Sequence, residues 1–99
     1  MHFHEFTKSI AAAYPPETIN SYARSLWYDA KGDWETAHTI IQDIEDKTAA
    51  WIHAYLHRKD GDLPNARYWY SRVGQTMPAG SLDEEWTDLV ANLLDRPAD

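Results

Sequence analysis

Two histidines four residues apart, His53 and His57, are the side chains in this sequence best spaced to act together. On a helix that spacing projects both imidazoles from one side, where they can share a metal ion. The zincin pattern needs a glutamate directly after the first histidine, and Ala54 stands there instead. A third ligand must come from another segment, and His38, Asp43 and Glu45 are the candidates. Two other readings compete. The stretch from Thr48 to His57 carries no charged residue, so the pair can be buried structural side chains on a central helix. Their ring nitrogens then need partners, because an unpaired buried polar group costs about 1–3 kcal/mol. Asn65, Tyr68 and Arg72, or Gln42, are placed to supply them. Alternatively, the histidines form the polar floor of a ligand groove.

Other chemistries find less support. With no cysteine there is no disulfide framework, thiolate metal site or cysteine nucleophile. The turns at Gly32-Asp33 and Asp60-Gly61-Asp62 offer too few carboxylates for calcium, which takes six or more oxygens, so helix capping explains them better. Ser9, Ser21, Ser25 and Ser71 show no nucleophile-elbow context, and nothing singles out His2 or His4. A formal net charge of -7 speaks against nucleic acid and against an anionic membrane surface. The apolar runs are too short for a membrane span, and the start lacks the pattern of a signal peptide. Cytoplasm is the expected compartment.

The elements that must position these residues are helical throughout. Hydrophobic residues make up 43% and charged residues 25% of 99, the composition of one globular domain. Phe3, Phe6, Ile10 and Tyr14 recur at helical intervals up to Pro15-Pro16. Pro16 suits the start of a second helix, about 17–31, with Ile19, Tyr22, Ala23, Leu26 and Ala30 on one face. Asp33 caps a third helix, about 34–45, whose core stripe is Trp34, Ala37, Ile41 and Ile44 with Ile40 beside it. Asp46 or Thr48 caps a fourth helix, about 48–59, and Asp62 caps a fifth, with Pro64 in its first turn and Gly74 at its end. Ser81 and Glu84 have capping-box spacing for a last helix, about 82–94, which buries Trp86, Leu89, Val90 and Leu93.

The second and third helices repeat in the fourth and fifth at an offset of 29 residues. Gly32-Asp33 falls on Gly61-Asp62, Ser25 on Ala54, Ala37 on Ala66 and Ile41 on Tyr70. Small residues at facing positions let the paired helices approach closely. On these residues, with Pro78 near the repeat end, the chain resembles the tetratricopeptide repeat family over about 19–78. The offset is shorter than that family's repeat of about 34 residues. Arg24 and His53 also stand where it carries leucine. The stretch from Trp51 to Tyr70 looks like small bacterial proteins of this type with no assigned activity. The resemblance implies an all-α, right-handed α-solenoid of about six helices. It comprises repeat one (about 17–45), repeat two (about 48–74), an N-terminal helix and a C-terminal capping helix. It also implies a concave surface presented to a peptide or protein.

The aromatic side chains fit that expectation. Trp51 and Tyr55 match Tyr22 and Leu26 on the first helices of the two repeats, the concave side of such a stack. With Arg58 they are expected to line a groove, and Tyr68 to lie on an exposed face, while Tyr70 belongs to the core. The leading expectation is a protein- or peptide-binding scaffold without catalysis or cofactor. A metal- or small-molecule site on His53, His57 and His38 is the first alternative, and a homo-oligomeric structural protein the second.

Overall fold

Each helix from the second onward begins at a side chain that caps it. The side-chain oxygens of Asn20, Asp33, Asp46, Asp62 and Ser81 accept from the backbone N–H of Ala23, Thr36, Ala49, Asn65 and Glu84. The computed structural model describes all residues, Met1–Asp99, and is all-helical: α1 (Phe3–Ser9), α2 (Ser21–Ala30), α3 (Trp34–Gln42), α4 (Lys47–Lys59), α5 (Leu63–Arg72) and α6 (Leu82–Leu93). No helix is long and apolar enough to cross a membrane.

Three boundaries differ from the sequence expectation, each for a tertiary reason. α2 starts at Ser21 rather than near Glu17, because Asn20 caps it and donates to the carbonyls of Leu93 and Arg96 at 2.8 and 3.0 Å. α1 ends at Ser9, and Lys31 Nζ ties down the turn beyond it through the carbonyls of Ile10 and Ala12. Tyr14, expected on the apolar face, is 80% exposed. α3 stops at Gln42, which frees Asp46 to cap α4.

Two hairpins, α2–α3 and α4–α5, are built alike. Gly32 and Gly61 close the first helix of each at φ 85° and 82°, a left-handed conformation that side chains resist. The amide one residue later returns to the helix: Asp33 N–H to the Tyr28 carbonyl at 2.9 Å, and Asp62 N–H to the His57 carbonyl at 3.0 Å. Ser25, Ala37, Ala54 and Ala66 are fully buried, as their small size at facing positions suggests. Ser25 Oγ donates to the Ala37 carbonyl at 2.7 Å, so that close approach also satisfies the hydroxyl.

The helix that decides the interior is α6. It packs on both α2 and α4, and its Leu89, Val90 and Leu93 join Leu26, Ile52, Tyr55 and Leu56 in the main core. Trp86 Nε1 donates to the Leu26 carbonyl at 3.0 Å, and the Trp86 ring meets Phe6 of α1 at 6.1 Å. The face expected to form an open groove is therefore covered by the chain's own last helix. Leu26 is fully buried and Tyr55 is 2% exposed. Trp51 is half-buried, with its Nε1 donating to Glu85.

Two buried carboxylates lock this arrangement. Asp29 of α2 accepts from Tyr55 Oη at 2.7 Å and Lys59 Nζ at 2.8 Å, tying α2 to α4. Glu85 of α6 accepts from Arg58 at 2.8 Å and Trp51 at 3.2 Å on α4, and from the Tyr70 hydroxyl of α5 at 2.6–2.7 Å. Burial and the adjacent carboxylates push both tyrosine hydroxyls far above their ordinary pKa, so they remain donors. Removing one partner of such a pair strands the other charge. Glu85→Ala is expected to cost about 3–5 kcal/mol in urea unfolding. The exposed α6 change Asp88→Ala should stay within about 0.5 kcal/mol. Equal costs for the two variants would show that Glu85 does not hold α6 down.

Candidate functional site

α3 and α5 both pack on α4 but make no extended contact with each other. A trough therefore runs between them with α4 as its floor, and the histidines stand in it. α4 supplies His53 and His57, one helical turn apart and 8% and 9% exposed. α3 supplies the half-buried His38. His38 Nε2 and His53 Nε2 lie 2.9 Å apart, sharing one hydrogen bond. One ring nitrogen from each of the three histidines lies within 4.8 Å of the other two. Of the third-ligand candidates read from the sequence, His38 is the one in this cluster; Asp43 and Glu45 are outside it.

Tryptophans hold the rings in place. Trp34 lies flat on His38, centroids 4.8 Å apart with 10° between planes, and its Nε1 is anchored on the Leu56 carbonyl at 2.8 Å. Trp69 of α5 lies flat on His53 at 4.0 Å and 18°. His53 in turn stacks on His57 at 4.7 Å, and the edge of Trp34 meets His57 at 5.9 Å. The rings are thus confined by packing, the preorganisation that a coordinating or ligand-contacting site requires.

The polar bonding of the cluster is incomplete. His57 Nε2 lies 3.4 Å from the side-chain nitrogen of Asn65, while His57 Nδ1 is buried with no partner. Burial, reinforced by His38 and His57, lowers the pKa of His53 to about 4. Burial also lowers that of His57, against the pull of Asp62 and Asp60. Both rings are therefore neutral at pH 7, with lone pairs available to an ion or a hydrogen-bond donor.

The other residues singled out from the sequence are dispersed. Leu26 and Tyr55 are core, and Tyr22 is half-buried with its hydroxyl donating to Asp46. Arg58 is committed to Glu85 and the Gly80 carbonyl. Tyr68 is 53% exposed on the outside of α5, where its hydroxyl accepts from Arg72. The structure brings none of them to the histidines. Trp34 and Trp69 are the site residues that sequence reasoning missed. Their signal was spacing, since Trp34 precedes His38 by four residues and Trp69 follows Asn65 by four.

The depressed His53 pKa fixes the sign of a pH effect on the metal-free protein. The folded ring is neutral above about 4, whereas the unfolded ring takes a proton below its ordinary value of about 6.5. Its contribution to stability is complete above pH 6.5 and is lost as pH falls from there to about 4. In His53→Gln this part of the acid destabilisation should disappear; an unchanged profile between these values would refute it. No protein-family model matches this chain, and no curated protein or solved structure matches it.

Proposed function

We propose that this protein binds a first-row divalent transition metal, zinc foremost, through His38, His53 and His57, with a fourth coordination position left open. The observation that carries this reading is the convergence of three ring nitrogens within 4.8 Å, in a cluster where one buried ring nitrogen, His57 Nδ1, lacks any partner. Imidazole nitrogens suit zinc, copper, nickel and cobalt, whereas calcium and magnesium need oxygen ligands. Tetrahedral bonds of about 2.0–2.1 Å place ligand nitrogens about 3.3 Å apart, so the cluster must draw in from its present span to close on an ion. Turning the Asn65 amide brings its oxygen to His57 Nε2–H, a tautomer that leaves the lone pair on the unpartnered Nδ1.

In this reading the two hairpins form a tetratricopeptide-like pair whose inner face is taken by α6, and function moves to the trough on the opposite side of α4. The shared glycine turns and small-residue contacts support it. A protein-binding role is the second reading, favoured by the exposed Tyr68 beside Arg72, residue types common at interfaces.

Protein prepared without a tag should bind one Zn2+ per chain by calorimetry. At one hundred times Kd the ion should add about 2.7 kcal/mol of stability and raise Tm by on the order of 10 °C. Each of His38→Ala, His53→Ala and His57→Ala should weaken binding by more than about 100-fold, beyond the 10–100-fold typical of an outer partner such as Asn65. The double variant His2→Ala, His4→Ala should bind as wild type. Binding that survives loss of the trough histidines, or none at micromolar zinc, overturns the metal reading.

A further inference from the structure

A cleft of about 600 Å³ opens in the trough one helical turn from the histidines. Its residues continue the same three stripes: Gln42 is four after His38, Ala50 three before His53, and Arg72 three after Trp69. Ala50, small and at the floor, leaves the space that a longer side chain would fill. Trp69 is the shared wall, with one contact to His53 at 4.0 Å and the Arg72 guanidinium 5.2 Å from its centroid. The guanidinium carbon therefore stands no more than about 9 Å from the His53 ring.

Arg72 forms no salt bridge, although acidic residues outnumber basic ones 16 to 9 in this chain. Instead this exposed guanidinium lies beside the rings of Tyr68 and Trp69 and donates to the Tyr68 hydroxyl, with further N–H donors left over. Lys47, on the same cleft, likewise has no carboxylate partner. Of the acidic groups there, Asp46 is occupied in capping α4 and accepting from Tyr22. Glu45 remains and disfavours a polyanion. The geometry points to a binding site for a small organic dicarboxylate, one carboxylate taking the open position on the metal and the other pairing with Arg72. The inference rests on the metal reading above and names the ligand class of that same site.

Cobalt-loaded protein provides the test, since a new oxygen ligand changes the visible absorption of the ion itself. Succinate and glutarate, two chain lengths, should each be titrated against acetate, which can occupy the metal position alone. At least one dicarboxylate should bind about tenfold more tightly than acetate, the size of one charge-assisted hydrogen bond. Arg72→Gln should reduce that advantage to within about twofold while leaving cobalt affinity and far-UV circular dichroism unchanged. Equal affinities for acetate and both dicarboxylates, or an advantage that persists in Arg72→Gln, overturns the dicarboxylate site while leaving the metal site standing. Failure to take up cobalt overturns both.

Discussion

The Glu85 carboxylate is the contact on which the remaining structure depends. It is nearly solvent-free and accepts from Arg58, Trp51 and Tyr70, so one side chain of α6 fastens α4 and α5 together. A charge in that position is tolerable only because three donors converge on it and the guanidinium neutralises it. The consequence reaches the other side of α4. With its inner face fixed by α2 and α6, α4 presents His53 and His57 outward at a constant height, and α3 and α5 bring Trp34, His38 and Trp69 to meet them.

The two hairpins use one position for related purposes. Asp29 and Arg58 are 29 residues apart and occupy equivalent places near the ends of α2 and α4. Each pairs across to the next inner helix: Asp29 with Lys59 of α4, and Arg58 with Glu85 of α6. The charge signs are reversed and the mechanical role is the same. This chaining of inner helices leaves the outer trough free of structural duties, which is where a buried nitrogen without a partner can persist.

Much of the candidate site could be read from residue order. His53 and His57 share a helix face by spacing alone, and His38 was one of three possible third ligands on the third helix. Asn65 was among the partners anticipated for the rings. The Trp34 lid was legible from its i,i+4 spacing to His38 and was passed over, whereas the stacking of Trp69 on His53 depends on how α5 stands on α4, which no local pattern encodes. The buried carboxylates were missed as well. Glu85 lies on one stripe with Leu89 and Leu93, four and eight residues on, so its place in the interior was visible.

By itself the sequence determined the six helices, the caps of α3, α5 and α6, the glycine turns and the close pairing of α2 with α3 and α4 with α5. All of these follow from interactions within a few residues or from side-chain size at repeating positions. The course of α6 was settled only by the tertiary structure, since an amphipathic helix can cover the end of a stack or its inner face with equal local propensity. The choice between them fell to contacts across 27 and 60 residues, Arg58 with Glu85 and Leu26 with Trp86. That choice took Leu26 and Tyr55 of the expected groove out of solvent and left Trp51 half-buried. It left the three histidines as the cluster in which one buried polar atom, His57 Nδ1, still lacks a partner.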